Sequence, residues 1–108
     1  MILVCRSLFK NTKITAMALY PFIILNKKEL RRDEVLLNHE KIHLRQQLEL
    51  LIIFFYLLYG LEYILKRIKL GDPYQAYRSI SFEREAHDKE EDIDYLRHRK
   101  FWNFIKYW

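Results

Sequence analysis

The residues with the clearest chemical potential are His39-Glu40-Lys41-Ile42-His43. Two histidines four apart on a helix lie on one face, about one turn apart, so both imidazoles can reach one tetrahedral metal ion. Glu40 cannot point the same way; its carboxylate can instead reach a water on that metal and act as general base. Zinc lowers the pKa of such a water to about 7, and Glu40 can take the proton as the water attacks a carbonyl. The competing reading is a solvated helix face that carries two histidines by accident. The position of the match inside a helix-forming stretch weighs against it. A catalytic zinc usually has three protein ligands and one open position. No histidine follows closely, since the chain continues LRQQLELL, so the third ligand is expected from a later helix. The stretch 81–88 (SFEREAHD) offers two carboxylates, Glu83 and Glu85, and its small Ala86 would let that helix approach the first one closely.

The elements that must hold these residues can be traced along the chain. Residues 13–20 (KITAMALY) and 22–26 (FIILN) are short apolar runs enriched in β-branched residues and divided by Pro21. They read as an antiparallel hairpin or one bent strand, with Pro21 favouring an edge. Asp33 is a suitable N-cap for a helix from 34 to about 47, which continues or bends into an apolar helix ending near 69. Gly71-Asp72-Pro73 is the clearest turn. A short segment, 74–80, leads to Ser81 as N-cap of a third helix from 82 to about 97, whose acidic first turn suits the helix dipole. The expected fold class is α+β in one domain of 108 residues: small N-terminal strands, the histidine-bearing helix, an apolar helix, a glutamate-bearing third helix, and an aromatic, basic tail over 97–108.

Composition narrows the function classes. Apolar residues make up 51% and Gly plus Pro only four positions, which excludes collagen-like and disordered chains. The one cysteine, Cys5, excludes an intrachain disulfide and a Cys-rich zinc finger, and reads as a buried or idle thiol. A net charge of +5 suits an anionic membrane surface or nucleic acid and decides neither. The start of the chain is broken by Arg6 and lacks a secretory apolar region, so a location in the cytoplasm or on the inner face of a membrane is expected. The uncharged run 50–61 (LLIIFFYLLYGL) has twelve residues, short of the roughly 20 that span a bilayer, and reads as a buried or interfacial helix. The tail RHRKFWNFIKYW packs its aromatics on the domain, meets a membrane interface or, ranked last, stacks on single-stranded nucleic acid. With no nucleic-acid motif in the chain, no nucleic acid is expected as a partner.

An HExxH helix followed some tens of residues later by a glutamate-bearing helix resembles the gluzincin group of zinc metallopeptidases. Glu83-x-x-Ala86 is similar to the Glu-x-x-Ala-Asp signature of the membrane-associated CAAX prenyl and heat-shock peptidases and of the metallopeptidase domain of β-lactam sensor-transducers. The size is that of the minigluzincins. The resemblance covers about residues 35–94 and rests on the two motifs. It implies a zincin-like fold, Zn2+ held by His39, His43 and Glu83, Glu40 as catalytic base, and a peptide or protein substrate lying along an edge strand within 15–25. Glu83 fits the Glu-x-x-Ala spacing; Glu85, with Asp88 three residues on, is the rival ligand. The departure is His87, where those families place an aspartate that orients a ligand histidine; Asp88 comes one position late. Tyr74, Tyr77, Arg78 and His87 are the candidates for stabilising an oxyanion. The alternative is a non-catalytic metal-binding or membrane-surface module with a degenerate site.

Overall fold

In a computed structural model, which describes residues 1–10, 12 and 14–108, the short apolar runs pair into a three-stranded sheet. Its strands are β1 (Ile2–Val4), β2 (Ala16–Leu19) and β3 (Phe22–Leu25), in the order β1-β3-β2. β2 runs antiparallel to β3, with Met17 opposite Ile24, so the expected hairpin is present and Pro21 sits in its turn. The sheet is nevertheless mixed, because β1 adds to the other edge of β3 in parallel, with Ile2 opposite Ile23. β1 has only three residues before the chain turns at Arg6, too few to show a strand period. Lys13, at the start of the expected first strand, lies outside the described residues. Cys5 is exposed rather than buried.

Helix α1 (Glu34–Glu49) begins where Asp33 accepts the Leu36 N–H at 3.0 Å, the expected cap. After Leu50 the chain bends by 112° into α2 (Ile53–Leu70). No glycine makes this elbow. Leu51 and Ile52 do, at φ 56° and 66°, a region that side chains with a Cβ seldom occupy. Gly71, at φ 78°, closes α2, and Asp72 opens α3 (Pro73–Ser79) by accepting the Gln75 N–H at 2.8 Å. The segment 74–80 is therefore largely helical.

The third helix of the sequence reading is shorter than expected. Helix α4 covers Ser81–Lys89, and a separate turn, α5, covers Tyr95–His98. The break has a partner on α1: the Asn38 amide donates to the carbonyls of Lys89, Glu90 and Asp92 at 3.3, 2.8 and 2.9 Å. The Lys89 and Asp92 carbonyls also accept the Asp92 and Tyr95 N–H groups at 3.0 Å, and Asn38 adds the donor for Glu90 at the helix end. Nor is Ser81 the N-cap. It is the first helical residue, and the buried Glu62 of α2 accepts both its N–H (2.8 Å) and its hydroxyl (2.6 Å).

Two apolar clusters lock α4 in place. Phe82 packs on Phe55, Ile80 and Phe104, with the Phe82 and Phe104 rings 4.6 Å apart. Ile42, Ala86 and Tyr95 fill the contact between α1 and α4, and the fully buried Ala86 allows the close approach expected of it. Phe104 shows that part of the aromatic tail packs on the domain, while Phe101 and Trp108 stay exposed. α2 buries Phe55 and Glu62 but leaves most of its large apolar residues in water, so it is a buried helix on one face only. Among the described residues, no single helix is long and apolar enough to cross a membrane.

The tail is also tied down by charge. Arg99 donates to Glu85 at 2.6 and 3.0 Å and to Glu49 at 2.6 Å, with all three side chains buried. Tyr95 and Gln46 donate to Glu85 as well. Burial alone would raise the Glu85 pKa; the hydrogen bonds from Arg99, Tyr95 and Gln46, with the Arg99 charge, together outweigh it and hold the carboxyl below its ordinary value. A depressed folded pKa means stability that is present above the ordinary pKa, about 4.3, and lost as pH falls through the folded value. Replacing Arg99 by Ala leaves buried carboxylates unpaired, so Arg99→Ala should lower stability by about 3–5 kcal/mol in urea unfolding at neutral pH. The difference from wild type should shrink below about pH 4.

Candidate metal centre

α1 presents His39 and His43 one turn apart, and α4 brings Glu83 across from them. The three are buried together. His39 Nε2 and His43 Nε2 are 3.1 Å apart, and Glu83 Oε1 lies 3.2 and 3.1 Å from them. These are the ligands expected from the two motifs, and each offers one atom to a common point.

The remaining ring nitrogens set which atoms face that point. His43 Nδ1–H donates to Gln46 Oε1 at 2.8 Å, and His39 Nδ1–H donates to Glu90 Oε1 at 2.9 Å. With both Nδ1 atoms acting as donors, it is the two Nε2 atoms that face the carboxylate, each a free lone pair only when its ring is neutral. Two ring nitrogens and a carboxylate oxygen at such distances favour a positive charge among them, a proton when no ion is bound. Burial alone would push His43 down, but the Glu83 carboxylate holds its imidazolium up to about 9. Burial would raise Glu83, and His43 with His39 instead keeps it well below the usual carboxylate range. Tetrahedral zinc ligands at about 2.0–2.1 Å stand about 3.3–3.4 Å apart, so the triangle would open by only about 0.2 Å to fit. Two imidazoles and a carboxylate suit several first-row divalent ions, zinc among them.

Glu40 is buried beside this triangle and lines the same cleft. Burial raises its pKa, against the pull of His43 and His39. That direction favours a group that must accept a proton near neutral pH. The cleft holds about 840 Å³ and runs between β2, α1 and the inner face of α2. A smaller hollow of about 310 Å³, beside Arg45 and Phe101, lies away from these residues.

The other candidates separate by position. Glu85 is no rival ligand: two residues on from Glu83, it turns to the far side of α4 and is engaged by Arg99. Asp88 accepts from the Tyr107 hydroxyl at 2.6 Å and takes no part in the centre. The task expected of an aspartate at position 87 falls to Glu90, which accepts from both His39 and His87 (3.0 Å). His39, His87 and Glu90 are also close enough to share an ion, but His39 would have to give up its other nitrogen for it. Tyr74, Tyr77 and His87 line the cleft, whereas Arg78 is exposed and does not. Burial, then the charge on Glu83, raises the Tyr77 pKa and keeps the phenol protonated. His87 Nε2 is buried without a hydrogen-bond partner among the described residues, 3.8 Å from Glu83 Oε1.

Three supporting residues escape the motif reading. Gln46 had a usable signal, since three residues after His43 it shares that helix face. Glu90, two turns after Glu83, had a similar one. Tyr59, which donates to Glu83 Oε2 at 2.7 Å, comes from α2 and had none. Comparison with family models, curated proteins and solved structures finds no match to this chain.

Residues that orient ligands typically contribute 10–100-fold in metal affinity. Glu90→Ala should therefore weaken binding by about that factor in a zinc competition titration against a chromophoric chelator. Asp88→Ala should leave it unchanged, and His43→Ala should abolish stoichiometric binding.

Proposed function

We propose that this chain is a zinc-dependent metallopeptidase of gluzincin type, with a zincin-like arrangement of α1 and α4. The observation that carries this reading is the convergence of His39, His43 and Glu83 within 3.2 Å beside the buried Glu40. His39, His43 and Glu83 would hold the ion. When bound, it supplies Lewis acidity to a carbonyl oxygen and acidifies water. Glu40 takes the proton from the attacking water and returns it to the leaving amine. Tyr77, kept protonated at the cleft wall, is suited to donate to the developing oxyanion.

The edge of β2 supports an extended peptide as substrate. The Ala18 carbonyl accepts from the Gln47 amide at 2.8 Å, and the Tyr20 N–H donates to Gln47 Oε1 at 2.8 Å. Those groups point away from β3, so by strand alternation the N–H and C=O of Ala16 do too. Ala16 lines the cleft, and its outward groups can pair with a peptide backbone.

A second reading, a non-catalytic metal-binding module, is favoured by His87 Nε2, which has no hydrogen-bond partner among the described residues, lies near Glu83 and could occupy a fourth position. One variant separates the two. Glu40→Gln should retain about one zinc per chain by mass spectrometry and lose hydrolysis of an unstructured protein such as casein by at least about 100-fold. Zinc-loaded wild type with no hydrolysis would favour the module, and a fully active Glu40→Gln would overturn the mechanism.

A further inference from the structure

The outer face of α2 is a continuous apolar stripe. At 100° per residue, Ile53, Leu57, Leu61, Ile64 and Ile68 fall within one 80° sector, and they are 50–78% exposed. Phe54 and Leu65 widen the sector to 120° and are more than half exposed. The opposite side of the same helix carries the buried Phe55 and Glu62. A soluble helix places its apolar residues toward the core, and here the reverse half is apolar as well. At the elbow the stripe runs on into exposed Leu48 and Leu51. Contiguous exposed apolar surface of this kind marks an interaction site.

Charge identifies the occupant. Arg67 and Lys69 project about 40° beyond the two margins of the stripe, and both are exposed. Arg45 flanks its elbow end, where it borders a hollow with Leu48 and Phe101. The only carboxylate in α2 is Glu62, which is buried and committed to Ser81. A second copy docking face to face would bring the same cations and no carboxylate on α2 to meet them. Anionic lipid headgroups over an acyl layer supply both the negative charge and the apolar medium.

We propose that the outer face of α2 lies in the surface of an anionic lipid bilayer, with Ile53 to Ile68 in the acyl boundary and Arg67 and Lys69 at the headgroups. The metal-centre cleft, walled by Phe55 and Tyr59 on the other side of α2, then faces away from the lipid. The proposal does not depend on metal binding or hydrolysis.

The test is flotation of the full chain with phosphatidylcholine vesicles, with and without about one third phosphatidylglycerol. Binding should require the anionic lipid and fall steeply with added salt. Leu57→Glu with Ile64→Glu should weaken it at least about tenfold, and Arg67→Glu with Lys69→Glu should also weaken it. Both pairs change exposed side chains, so zinc content and circular dichroism should match wild type and separate lost docking from lost folding. Failure of wild type to float, or binding unaffected by Leu57→Glu with Ile64→Glu, would overturn the proposal. So would a dimer in sedimentation velocity that the same pair dissociates while wild type ignores vesicles, because the stripe would then belong to a second copy.

Discussion

The ion pair between Glu85 and Arg99 is the fixed point around which this small fold is organised. It is dry, bidentate and 2.6 Å at its shortest, and Glu85 also takes hydrogen bonds from Gln46 and Tyr95. Breaking such a pair costs far more than forming it yields, because a charge is left without water or partner. Through it α4 is anchored to the C-terminal segment, and through Gln46 it is connected to His43. With Glu85 held on one side of α4, Glu83 is presented on the other.

That division of labour explains how much of the site could be read in advance. The HExxH spacing needs only a helix, and Asp33 supplied the cap that starts one, so His39, Glu40 and His43 were legible locally. Glu83 and Glu85 could not be separated by composition, since both are carboxylates in a first turn. Only the Ala86 spacing favoured one, and what separates them physically is a partner 14 residues further on, Arg99. Glu90 sits beyond the end of α4, where a longer helix was expected. The break depends on Asn38, 51 residues before Lys89, and a local pattern carries no trace of such a contact.

The fold was legible to a similar depth. Gly71-Asp72-Pro73 punctuates the chain as turn chemistry dictates. The elbow at 50–52 does not, because leucine and isoleucine normally extend a helix, and here they occupy left-handed backbone at an expense of about 1–3 kcal/mol each. Surrounding packing must hold them there. Phe55, just past the elbow, is inserted against Ile80 and Phe82, which supplies that packing. The elbow in turn lets α2 wall the cleft with one side and leave the other in water.

The buried Glu62 has a consequence for how the protein is made. It fixes the start of α4 from 19 residues upstream, while Arg99 fixes its outer side from 14 residues downstream. A nascent chain therefore carries His39 and His43 long before Glu83 is held in register. At about 5–20 residues per second, the 60 residues from His39 to Arg99 take roughly 3–12 s to synthesise. On the proposed metal-binding reading, the histidine pair would meet metal during that interval with two arms only, a weaker and less selective grip than the finished trio. The geometry of the trio is thus completed late, when the last helical turns dock.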